Sequence, residues 1–204
     1  TILLTPKEII RKVGQQGMSC YAGLYKLQED EKYFTSNSFL FSATVFVDID
    51  NKKLKLSPIK ALERLREYGL DCSAIYRSFN DPNSNDDLSD DERLKKCSRF
   101  RLVFFLDDYV VGYQNYNQLL KIIYQFFPEA DTSVDASNII LGGKGVIYNN
   151  PDYMLEIKLM TMAAYNYSNR SITSKRKSEN RIEYIRDLCP LTNEGDIFYE
   201  NVPK

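Results

Sequence analysis

Apolar and polar positions along this chain lay out one deeply buried strand and punctuate the rest around it. Thr44-Val45-Phe46-Val47 is an unbroken run of β-branched and aromatic residues, part of a strand predicted over 39–50, and it ends in Asp48-Ile49-Asp50-Asn51. Strand side chains alternate, so Asp48 and Asp50 leave one face while Ile49 turns into the core. Upstream, Thr5-Pro6-Lys7-Glu8 has the order of an N-cap, a first-turn proline and a capping glutamate. The helix it opens has Ile9, Ile10 and Val13 on its apolar face, with Gly14 or Gly17 to end it. Positions 19–39 mix aromatic and polar residues and predict one or two short strands with a polar loop. Ser57-Pro58 repeats the capping pattern, Ile59, Leu62 and Leu65 follow at helical spacing, and Gly69 closes the helix. Ala74-Ile75-Tyr76-Arg77-Ser78-Phe79 then reads as a strand, so strand, helix and strand suggest a βαβ-like unit.

The second half continues the alternation. Residues 81–98 are polar and charged, the pattern of a solvated loop with one short capped helix. Arg99-Phe100-Arg101-Leu102-Val103-Phe104-Phe105-Leu106 predicts a strong strand closed by Asp107-Asp108, with Arg99 and Arg101 on one face and Phe100 and Leu102 on the other. Leu119, Leu120, Ile123 and Phe126 mark a helix over 115–127, stopped by Pro128. Ile139-Ile140-Leu141 is a short apolar strand, Gly142-Gly143-Lys144-Gly145 a turn carrying a cation, and Val146-Ile147-Tyr148 the expected hairpin partner. Helical patterns recur over 154–165 and 179–189, separated by a basic cluster over 170–177 that reads as a solvated linker. The whole predicts an α/β (α+β) domain over 1–153, a mixed or antiparallel sheet flanked by helices, with a small helical tail or linker over 154–204.

Composition narrows the chemistry. Hydrophobic residues make up 43% of the 204, enough for one substantial core. No apolar run is long enough to span a bilayer, so no membrane association is expected. The net charge is −1, so any nucleic-acid surface must be local. Cys20, Cys72, Cys97 and Cys189 lack metal-pair spacing and fit the reduced thiols of a cytoplasmic protein. Histidine is absent from the sequence, which removes the commonest general base, Ser-His-Asp triads and most zinc chemistry.

The predicted strand ends and turns carry polar groups that a core does not need: Asp48 and Asp50, Ser78 and Asn80, Arg101, Asp131, and Lys144. Side-by-side carboxylates repel, and a divalent cation relieves that repulsion; removing either acid is then expected to stabilise the ion-free protein. A plain strand-ending turn is the competing reading of Asp48 and Asp50. Three acids with an arginine and a lysine suit metal-assisted phosphoryl transfer, with carboxylates holding ions and cations clamping phosphate oxygens.

Phe46-Val47-Asp48-Ile49-Asp50-Asn51, then Ile75-Tyr76-Arg77-Ser78-Phe79-Asn80, resemble the first two motifs of the archaeo-eukaryotic primase superfamily. The likeness is to primase-polymerase domains of replication proteins from plasmids, phages and mobile genetic islands. Arg99-Phe100-Arg101-Leu102-Val103-Phe104 looks like the strand after that family's variable loop. Phe127-Pro128-Glu129-Ala130-Asp131-Thr132-Ser133 with Gly142-Gly143-Lys144 looks like its third-motif region. The resemblance covers residues 40–150. It implies template-directed nucleotidyl transfer from nucleoside triphosphates on single-stranded DNA with Mg²⁺ or Mn²⁺, and a helicase region further along the full protein. By it, Asp48, Asp50 and Asp131 hold metal, with Asp135 and Asp108 as fallbacks for the third acid; Ser78, Asn80, Arg101 and Lys144 bind the triphosphate. Two positions depart: Asn80 stands where the family has histidine and cannot carry its charge, and Asn138 stands where related sequences have arginine. The alternative is a catalytically weakened primase-like module that binds DNA or partners in replication initiation.

Overall fold

The computed structural model describes residues 4–26, 35–51, 55–79, 81, 89, 91–92, 95, 97–133 and 137–175, with side chains to residue 169. Helix α1 (Pro6–Ile9) starts on the expected capping box, with Thr5 N–H donating to Glu8 Oε2 at 2.9 Å. It runs into a π-helical segment, Ile10–Gln15, which ends just before Gly17 at φ +76°. Short strands β1 (Cys20–Tyr21) and β2 (Leu24–Tyr25) follow, then the long central strand β3 (Phe39–Ile49). Ser57 caps α2 (Pro58–Glu67), which buries Ala61, Leu62 and Leu65, and β4 (Ala74–Ser78) comes next. The remaining elements are β5 (Phe100–Val111), α3 (Tyr113–Phe126), β6 (Ile139–Ile140), β7 (Gly143–Asn149), β8 (Met154–Leu155) and α4 (Ile157–Lys175).

The fold is α+β, built on a sheet of order β2-β3-β5-β4-β7 in which every neighbouring pair is antiparallel; β8 adds one parallel pairing to β5. Because β3 and β4 both run antiparallel to β5, they are parallel to each other with β5 between them. The βαβ-like unit read from the sequence is therefore the split form, which brings the ends of three strands to one edge. Its core is continuous: Val45, Val47, Ile49, Phe100, Leu102, Phe104 and Ile75 are all fully buried, each burial worth ~1.5–3 kcal/mol.

Three expectations change. The first concerns the end of β5, which runs on past Asp107-Asp108: a bulge opposite Ser42–Thr44 turns exposed Asp107 outward, after which Val110 and Val111 pair with Ser42 and Phe41. The second is the hairpin between Ile139-Ile140 and Val146-Tyr148, which does not form. Instead β6 pairs with β1, and β7 pairs with β4. Gly142 and Gly143 dictate this, because they let the chain pass directly beneath the first helical segment. A Cβ on Gly142 would lie 2.2 Å from the Gly17 carbonyl carbon, and one on Gly143 would lie 2.3 Å from the Tyr76 ring. Gly143→Ala is accordingly expected to lower stability by about 2–3 kcal/mol in a denaturant titration, from overpacking. A loss under about 0.5 kcal/mol would mean the contact is not tight.

The third concerns the boundary after residue 153, where the packing does not break. Leu155, Met160, Ala163 and Ala164 belong to the same core, and α4 lies on α3 through Tyr167 against Phe126, ring centroids 5.2 Å apart. Helix α4 also continues through Lys175, so backbone 170–175 is helical rather than linker. The helix expected over 179–189 and Cys189 lie outside the described residues, as does most of the polar stretch 81–98. Where that stretch rejoins the sheet, Asp81 is buried and accepts hydrogen bonds from the Ser98 hydroxyl at 2.9 Å and the Cys97 thiol at 3.3 Å. Among the described residues no helix is long and apolar enough to cross a membrane.

Candidate active site

Register alone assembles the site. Asp48 on β3 pairs with Arg101 on β5, and Arg101 pairs with Tyr76 on β4. Directly opposed residues of an antiparallel pair share a face, so these three side chains form one row across the sheet. One step beyond, Arg99 meets Asp50, and the Ser78 N–H donates to the Arg99 carbonyl at 2.9 Å. The two-residue spacing of Asp48 and Asp50 is thus met by the same spacing in Arg99 and Arg101.

The contacts are charged and short. Arg101 Nη2 lies 2.7 Å from Asp48 Oδ2, and Arg99 Nε lies 2.7 Å from Asp50 Oδ1. Arg101 also donates through Nη1 to the Tyr76 hydroxyl at 3.2 Å and to the Leu141 carbonyl. Burial opposes the Arg101 charge, but Tyr76 and Asp48 outweigh it and hold its pKa above the ordinary value. Burial likewise raises the Tyr76 phenol, so it stays protonated. Cys20, on the strand β1 that pairs with β6, has its thiol pushed up to about 11 by burial, with Arg101 opposing. The two arginines differ in access: the Arg101 side chain is 8% exposed and Arg99 37%.

This corrects one expectation from the sequence. Repulsion between Asp48 and Asp50 is offset by two arginines of the neighbouring strand, so losing an acid is expected to destabilise the ion-free protein rather than stabilise it. The sequence pattern puts Arg99 on one face with Arg101 without giving it a site role; its matching spacing to the acid pair is the signal that does.

The Asp131 backbone lies along the other edge of β3. Ala130 bridges Ile49 in antiparallel fashion, and the Asp131 N–H donates to the Asp48 carbonyl at 2.8 Å. The register sets Asp131 opposite Asp48. Its Oδ1 accepts hydrogen bonds from the Ser133 N–H at 3.0 Å and the Ser133 hydroxyl at 2.7 Å. Upstream, Glu129 is gripped by Arg64 of α2 through bonds of 2.9 and 2.8 Å, which anchors this segment. Among the described residues, no three His, Cys, Asp or Glu side chains close into a metal-holding group. The oxygen donors that register aligns, Asp48, Asp50 and Asp131, nevertheless suit Mg²⁺ or Mn²⁺ in chemical type.

The other candidates are dispersed. Ser78 sits at the end of β4 opposite Gly143. Lys144 extends its ammonium over the Phe79 ring, 4.7 Å from the centroid, while its carbonyl accepts from Arg77 at 2.9 Å. Asp108 lies at the far end of β5, its Oδ1 accepting from the Tyr109 N–H at 2.6 Å, and is not brought to the acids. Asn80 and Asp135 lie outside the described residues. No protein-family model, curated protein or solved structure matches this chain.

Proposed function

We propose that this protein is a primase-polymerase: a metal-dependent, template-directed nucleotidyltransferase that makes or extends primers on single-stranded DNA from nucleoside triphosphates. The observation that carries the reading is the cross-sheet register, which aligns Asp50, Asp48 and Asp131 at one end of a split β–α–β sheet beside two arginines. Asp48, Asp50 and Asp131 would hold Mg²⁺ or Mn²⁺, Asp131 by turning from Ser133. Such ions supply Lewis-acid stabilisation of phosphoryl charge and lower the pKa of the attacking hydroxyl. Arg101, committed to Asp48, Tyr76 and Leu141, fixes the Asp48 carboxylate in place. Ser78, at the end of β4, and Lys144, on the strand paired with it, would contact the triphosphate together with Asn80. Free thiols at Cys20, Cys72 and Cys97 fit a reducing compartment, the cytoplasm. A helicase region of a longer replication protein is the partner that completes this reading.

A second reading is a weakened primase-like module that binds DNA or partners in replication initiation. The arginine-paired state of Asp48 and Asp50 favours it, since neither carboxylate stands open. Incubating the protein with labelled nucleoside triphosphates, Mn²⁺ and a single-stranded DNA template separates the two. Template-dependent labelled product is expected; its absence over a range of templates and both metals would favour the binding module.

A further inference from the structure

We propose that Arg99 is the phosphate-binding cation of this site, held at rest by Asp50, so that divalent metal and nucleoside triphosphate bind cooperatively through an exchange of partners. The inference rests on the reading of Asp48, Asp50 and Asp131 as metal ligands, and it names a residue and a coupling that this reading does not supply. Two observations set Arg99 apart from Arg101. Arg101 is nearly buried and divides its guanidinium among Asp48, the Tyr76 hydroxyl and the Leu141 carbonyl, so turning it toward a ligand would strip three partners. Arg99 has a side chain 37% exposed and pairs with Asp50 through Nε at 2.7 Å. Guanidinium forks suit phosphate as well as carboxylate.

Charge balance then dictates cooperativity. Asp48 and Asp50 against Arg99 and Arg101 form a neutral quartet. A divalent ion entering alone leaves excess positive charge beside two arginines. A triphosphate entering alone sets a polyanion beside two carboxylates. Together each ligand offsets part of the charge the other brings: Asp50 would turn to the ion, and Arg99, released, to a phosphate oxygen. Each ligand therefore prepares the site for the other, and the coupling must be reciprocal.

Calorimetry on the 204-residue chain tests this with Mn²⁺ alone, a β,γ-imido nucleoside triphosphate alone, and each in the presence of the other. In the parent, each ligand is expected to tighten the other by about tenfold or more. In Arg99→Ala, Mn²⁺ alone should bind more tightly because Asp50 is freed, the triphosphate more weakly, and the mutual tightening should largely vanish. Arg99→Lys, which keeps the charge, should retain part of it. Metal affinity rising while nucleotide affinity falls is a signature that lost folding cannot produce. Unchanged coupling in Arg99→Ala, or a parallel loss of both affinities with a lower melting temperature, would overturn the role of Arg99 while leaving the metal site in place. No triphosphate binding by the parent with Mn²⁺ present would overturn the nucleotidyl-transfer reading itself, and this inference with it.

Discussion

Asp48→Ala is expected to abolish metal-dependent nucleotide incorporation and to lower stability by about 2–3 kcal/mol. The activity loss follows from removing one metal ligand. The stability loss runs against intuition drawn from the acid pair alone, which says that removing one of two like charges relieves repulsion. Arg101 decides the sign. Its guanidinium lies 2.7 Å from Asp48 with its side chain 8% exposed, so truncating the acid strands a buried cation. Asp48 itself is 21% exposed, which places the cost below that of a wholly buried pair. Urea unfolding should show a lower midpoint with an unchanged slope. Asp48→Ala combined with Arg101→Met should recover part of the loss, since the stranded charge is then gone. A single variant more stable than the parent would show that repulsion between Asp48 and Asp50 outweighs the arginine pairing.

The other large effect is expected at Arg64. This arginine joins α2 to the segment after α3 by a two-pronged bond to Glu129, a bond of 3.0 Å to the Phe126 carbonyl, and stacking 5.6 and 5.3 Å from the Phe127 and Tyr167 centroids. The side chains are 16% and 8% exposed for Arg64 and Glu129. Arg64→Ala leaves Glu129 buried without its counter-ion and opens a gap between aromatic rings, so a loss of about 3–4 kcal/mol is expected. The residue matters for the site as well, because Glu129 lies two positions before Asp131. Loosening it should lower metal affinity even in protein that remains folded. Arg64→Lys keeps the charge but not the fork, and should fall between the two. A loss below about 1 kcal/mol for Arg64→Ala would show the pair to be surface-like in energy.

Much of this architecture was legible in the sequence because its signals are local. Thr5-Pro6 and Ser57-Pro58 announced two helix starts, and the unbroken apolar run Val45-Phe46-Val47 announced the central strand. What was not legible depended on which strand lies beside which. No local pattern says that β5 separates β3 from β4, yet that insertion sets Arg101 against Asp48 and turns a repelling acid pair into a balanced quartet. Gly142 and Gly143 read as a turn; only the approach of Gly17 and Tyr76 shows that they exist to let backbone pass close, sending β7 to β4 rather than back to β6. Asp131 enters as third acid through the family resemblance. Its backbone N–H donates to the Asp48 carbonyl, while its carboxylate rests on Ser133.

Paramagnetic line broadening tests the central claim most directly. With a non-hydrolysable nucleoside triphosphate present, substoichiometric Mn²⁺ is added to isotopically labelled protein and amide resonances are followed. Selective broadening should appear at Asp48, Asp50 and Asp131, and should spare Gly69 beyond the end of α2. Broadening confined to the acidic stretch 86–92, or none at all, would contradict a metal site at the junction of β3, β5 and the Ala130–Asp131 segment.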